Sequence, residues 1–124
     1  MKERYIKKLE TFEKEKEFIK SHKISDDVTR RALLYSLQIC VETAMDIVAM
    51  KIKDSGMVVE DDYSNIQKLV EDRIIKPEEA ELLREFNGIR NAIAHKYDKL
   101  DMDIIEEALG KIDEFSDVVV KISE

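Results

Sequence analysis

The sequence predicts an all-α fold, an antiparallel bundle of about five helices in one domain over residues 1–124, assembled as a homodimer. Three observations lead there. Three Gly and one Pro are too few breakers for an all-β chain, which needs turn residues every few positions. The composition is 44% hydrophobic and 40% charged, the balance of long amphipathic helices. Apolar residues also recur at three- and four-residue spacing in segment after segment. A chain of this size buries about two-thirds of its unfolded surface, enough for one core.

The first helix is expected over residues 2–20, where Tyr5, Leu9, Phe12 and Ile19 recur with Ile6 beside them. The alternating charges from Glu13 to Glu17 read as a solvated face. His22 reads as a solvated residue at the helix end. Ser25 is the expected N-cap of the second helix, with Asp26 and Asp27 in its first turn, where the helix dipole favours negative charge. From Val28 to Ile52, 16 of 25 residues are apolar. The polar exceptions Arg31, Gln38 and Glu42 fall in one narrow stripe, with Asp46 at its edge. A helix apolar around most of its girth is buried on several sides, so a partner chain is expected to cover part of it. Cys40 lies in that stretch and reads as a buried structural thiol.

Asp54-Ser55-Gly56 ends this helix. A short third helix is expected over Tyr63–Asp72, then a turn at Arg73–Lys76. Pro77 suits a first helical position and opens a fourth helix reaching Ala94 or a turn beyond. The fifth is expected to start near Asp103, where Asp103-x-x-Glu106 resembles a capping box. It would bury Ile105, Ala108, Leu109, Ile112, Phe115 and Val119. Tyr5, Tyr35 and Tyr63 read as packing residues and the methionines as core filler.

Composition also narrows function. No apolar run approaches the ~18 residues of a membrane span. The opening MKERYIKKLE lacks the apolar centre of a secretory signal. A soluble cytoplasmic protein without membrane contact is therefore expected. One cysteine and two distant histidines offer no metal-ligand spacing, so neither metal nor cofactor is expected. The net charge of −7 is unevenly spread: residues 1–24 carry +3 and the rest −10. Any polyanion site must be local.

The sharpest signal is Glu85-Phe-Asn-Gly-Ile-Arg-Asn-Ala-Ile-Ala-His-Lys-Tyr97. At about 100° per residue, Leu82, Phe86, Ile89 and Ile93 form a core stripe. Asn91, His95, Asp98 and Arg84 project away from it, and Arg90 borders it on the flank of Tyr97. Gly88 in mid-helix costs about 1 kcal/mol against Ala. A close approach by another backbone would explain it, with Ala92 beside it. If that backbone is a second copy, two-fold symmetry brings two Arg90 and two His95 side chains toward one cleft. Imidazole moves protons near neutrality and guanidinium holds phosphate through paired bonds. The set suits metal-free cleavage of RNA, in which the 2′-hydroxyl attacks to leave a 2′,3′-cyclic phosphate and a 5′-hydroxyl. The bland alternative is a surface His beside an Arg paired to Glu. The stretch Arg84–Lys99 carries +2, which fits a polyanion cleft and equally a helix C-terminus.

Arg90-Asn-Ala-Ile-Ala-His95-Lys-Tyr97 resembles the R-x4-H-x-Y motif of the HepT-like toxins, formerly the DUF86 group, in the HEPN superfamily. The similarity spans most of the chain. It takes in the leading helix, the apolar second helix carrying Glu42-Thr-Ala44, a short Tyr63-centred helix, and Gly88-Ile-Arg-Asn. The family often reads Gly-Glu-Ala where this chain has Val41-Glu42-Thr43-Ala44. The resemblance implies a homodimeric helical bundle acting as the RNase toxin of a type VII toxin–antitoxin pair. It implies an MntA-like minimal nucleotidyltransferase antitoxin that silences the nuclease by moving AMP from ATP onto Tyr97. By the same resemblance Arg90 binds the scissile phosphate and His95 is general acid and base. Asn91, four residues earlier on the same face, would orient His95. The alternative is a non-catalytic partner of a nucleotidyltransferase that binds nucleotide or only accepts AMP; a plain dimeric adaptor is the third reading. Glu42 is open between Arg31, Arg90 and a dimer mate.

Overall fold

Capped starts and short polar connections cut the chain into helices. The computed structural model describes residues 2–124. Six α-helices and one 3-10 turn appear in the order α1 Glu3–Ser21, α2 Asp27–Asp54, α3 Asp62–Glu71, α4 Pro77–His95, the turn Tyr97–Lys99, α5 Met102–Leu109 and α6 Ile112–Ser123. The first four match the expected segments within a residue or two. The expected fifth helix is two, because the chain bends at Gly110 and Lys111. Glycine is a poor helix former, and a Cβ on Gly110 would sit 3.3 Å from the Glu107 carbonyl oxygen. The bend lets α6 take its own direction into the core.

Two caps differ from expectation. Asp26, not Ser25, caps α2: its carboxylate accepts from the Thr29 amide at 2.8 Å, and the Thr29 hydroxyl accepts from the Asp26 amide at 3.1 Å. The longer reciprocal pair outcompetes Ser25 because it satisfies donors in both directions. Asp101, rather than Asp103, caps α5 by accepting from the Asp103 amide.

The central helix is α2, which packs against α1, α3, α4 and α6. It has the length and composition to cross a membrane, yet twelve of its residues are buried in the bundle. So the chain covers most of the apolar girth by itself, leaving Val28 and Tyr35 open at the N-terminal half. Three fully buried rings hold the centre: Phe115 stacks on Phe86 at 4.1 Å and tilts against Phe12 at 5.7 Å. Cys40 is fully buried, and burial raises its thiol pKa, as a structural thiol requires. Asp54 ties α2 back to α1. It accepts from the Tyr5 hydroxyl at 2.7 Å and pairs with Arg4, and these donors hold its carboxyl down at about 2.

Other expectations need correction. Tyr5 is buried, but Tyr35 and Tyr63 are each 65% exposed. The Glu13–Glu17 run is partly used inside the fold: Lys16 bonds Ser116 at 3.1 Å, and Glu15 accepts from Ser36. Glu42 meets neither Arg31 nor Arg90; it accepts from Gln38 at 3.1 Å. Exposed His22 stacks on Phe18 at the end of α1, as a cap residue does.

Candidate active site at the end of the fourth helix

The site hangs from α4. Pro77 starts that helix, and Glu79 fixes its first turn by accepting from the Lys76 amide at 2.8 Å and from Lys121 at 2.7 Å. Leu83, Phe86, Ile89 and Ile93 are buried on its inner side. The core therefore sets the rotation of the helix, and with it the direction of every motif residue.

Arg90 points toward α3. Its guanidinium donates to the Asp62 carboxylate and to the Asn87 amide oxygen, each at 2.9 Å, and its side chain is 19% exposed. Its Nε is buried with no partner. The placement of Asp62 follows from the start of α3. Asp61 caps that helix, and buried Asn65 clamps the preceding loop by bonding both the amide and the carbonyl of Glu60. Arg84 does not share the open face of His95. It lies 4.2 Å over the Tyr63 ring and donates to Gln67 at 2.8 Å, strapping α3 to α4.

His95 is the last residue of α4 and is exposed. Among the described residues its ring has no hydrogen bond or ion pair. Asn91, one turn earlier, is also exposed and makes no bond to it. Tyr97 follows in the 3-10 turn, half-buried against the core. Its hydroxyl accepts from Arg30 of α2 at 3.4 Å, and the Arg30 guanidinium lies 5.2 Å from its ring centre. His95 and Tyr97, with Lys96, Asp98 and Lys99, line a concavity of about 320 Å³. A neighbouring apolar groove of about 340 Å³ runs along Gly88, Ile89 and Ala92 to Leu100 and half-exposed Ile104, sharing Lys96 and Lys99 with the first.

The structure thus gathers His95 and Tyr97 into one concavity and turns Arg90 toward α3. Two partners escaped the sequence reading. Asp62 lies 28 residues from the arginine it pairs with, and Arg30 sits 67 residues from the tyrosine it meets. Among the described residues no group of three His, Cys, Asp or Glu is placed to hold a metal ion.

The family model described as "Ribonuclease HepT-like" matches residues 2–122. The chain belongs to the HepT-like ribonuclease family. This HepT-like chain is 54% identical over 119 residues to an Archaeoglobus fulgidus protein named "Putative RNase", covering 96% of this chain and 90% of that one. Its fold matches a solved toxin–antitoxin with AMP-PNP at TM-score 0.91 and 18% identity, over 98% of this chain and 99% of that one. It also matches a tri-AMPylated Shewanella oneidensis HEPN toxin, solved in complex with an MNT antitoxin, at TM-score 0.82 and 21% identity, over 97% and 98%. The HepT-like chain shares the all-helical architecture of both.

Proposed function

We propose that the protein is a metal-independent RNA endonuclease, the cytoplasmic toxin of a type VII toxin–antitoxin pair, acting as a homodimer. The observation that carries this is the R-x4-H-x-Y motif of a HepT-like chain set at a helix end, with an open, unpaired His95 beside Tyr97 in a cationic concavity. The apolar groove at Gly88 and Ala92 suits a second copy, whose approach would bring two His95 rings to one cleft.

In that cleft one imidazole takes the proton from the RNA 2′-hydroxyl. The 2′-oxygen bonds to phosphorus as the bond to the 5′-oxygen breaks. The imidazolium of the second copy gives its proton to that leaving oxygen, leaving 2′,3′-cyclic phosphate and 5′-hydroxyl ends. Arg90, held through Nη2 by Asp62 and Asn87, keeps its Nη1 donors for the scissile phosphate. Asn91 orients His95 in the loaded site. An MntA-like nucleotidyltransferase silences the enzyme by joining AMP to the Tyr97 oxygen. Added negative phosphate and a bulky nucleoside then fill the concavity that receives RNA.

Purified protein incubated with single-stranded RNA in excess chelator tests this. Cleavage is expected with the stated ends, with matched DNA uncut. Arg90→Ala and His95→Ala should each slow cleavage by about a hundredfold or more. If both variants cut like the parent, the assignment fails. A second reading, a non-catalytic AMP acceptor, is favoured by the −7 net charge and by the Arg90–Asp62 pair. It predicts no RNA cleavage but AMP adducts on Tyr97 in intact mass after co-expression with the antitoxin.

A further inference from the structure

Three arginines of α2 and α4 are committed to other partners. Arg31 is bound to Asp27 at 2.8 Å, Arg90 to Asp62 at 2.9 Å, and Arg84 to Gln67 and the Tyr63 ring. Arg30 differs. Its side chain meets the Tyr97 hydroxyl at 3.4 Å and the Tyr97 ring, and it forms no ion pair among the described residues. Lys96 and Lys99, which line the adjacent concavity, form none either. Arg30 against Tyr97, with Lys96 and Lys99 in the concavity that Tyr97 lines, thus outnumber its one carboxylate, Asp98, in a protein carrying −7 overall. An anion relieves their mutual repulsion. The contact with Tyr97 also pins the planar guanidinium in place while leaving most of its five donors unspent.

We propose that Arg30 is a second phosphate-binding residue of the site. It holds a backbone phosphodiester of single-stranded RNA beside Tyr97, next to the bond that is cleaved. This rests on the RNase reading above. Arg90 and Arg30 then grip the strand from α4 and α2. Arg30 takes no part in proton transfer, so its removal weakens RNA capture without abolishing the chemical step.

The test is binding of a fluorescein-labelled 2′-O-methyl oligoribonucleotide, which lacks the attacking hydroxyl, to the full chain across a salt series. Arg30→Ala should weaken binding about tenfold and lower the salt slope by about 0.7, the value for one phosphate contact on a single strand. Arg30→Lys should keep the slope and recover part of the affinity. In cleavage of ordinary RNA, Arg30→Ala should raise KM and leave kcat within a few-fold. Parental affinity and slope in Arg30→Ala would overturn the proposal, as would failure of Arg30→Lys to keep the slope. If the parent cuts RNA and His95→Ala does not while Arg30→Ala binds normally, only this inference falls. A parent that neither binds nor cuts RNA overturns the RNase reading itself.

Discussion

Arg90 and His95 lie five residues apart on one helix, yet the fold treats them in opposite ways. Arg90 is mostly buried, with a carboxylate from α3 and an amide from its own helix fixing the guanidinium. His95 stands exposed at the helix end with no protein partner among the described residues. Fixing a charged group in advance lowers the cost of ordering it when phosphate arrives. An imidazole that must exchange protons with substrate gains nothing from such an anchor. On the proposed reading, the contrast means that one chain would supply the phosphate-binding half of the site ready-made and leave the proton-transfer half open, to be enclosed by substrate and a second copy.

The largest effect comes from breaking what both residues stand on. Phe86 is fully buried and stacks on Phe115 at 4.1 Å, directly beneath the motif. Phe86→Ala should cost about 3–5 kcal/mol in urea denaturation, through lost burial and the cavity left behind. Cleavage should fall with it in proportion to the unfolded fraction. A loss below about 1 kcal/mol would show that α4 is held from elsewhere.

A smaller change separates the two residues. Asp62→Ala leaves a half-buried guanidinium without its carboxylate and removes a favourable charge from the first turn of α3. The expected loss is about 1–2 kcal/mol, between the values for exposed and buried pairs. His95→Ala removes an exposed ring that forms no hydrogen bond or ion pair among the described residues, and should stay within about 0.5 kcal/mol of the parent. Equal losses in the two variants would erase the distinction between an anchored and an open half.

That distinction also marks how far the sequence could be read. Helical spacing in Tyr5-Phe12-Ile19 and Phe86-Ile89-Ile93 gave the buried faces, because periodicity is a local property. The local motif likewise pointed to Arg90, His95 and Tyr97. The partners did not show: Asp62 reaches Arg90 across 28 residues and Arg30 reaches Tyr97 across 67. Which polar side chains meet is decided by how α2 and α3 dock on α4, and no spacing along the chain encodes that. The expected fifth helix ran straight through Gly110, because the turn there depends on where Phe115 must go to meet Phe86.

The smallest expected effect is the one that bears on the open half. Gly88 lies on the outer side of α4, and a Cβ built there meets nothing within 4 Å. The lone chain therefore has no steric need for glycine at a position where it lowers helix stability by about 1 kcal/mol. The proposed second copy supplies the need, because its backbone can approach the groove along Gly88 and Ala92 only where no side chain intervenes. Gly88→Ala should consequently act with opposite sign on two quantities. At high dilution the dissociated chain should gain about 0.5–1 kcal/mol in denaturation. Sedimentation over a concentration series should show the dimer weakened several-fold, as expected when a methyl group is forced into a packed contact. A variant that gains stability and associates like the parent would place the second copy on another surface, and His95 would then need a different route to its missing neighbour.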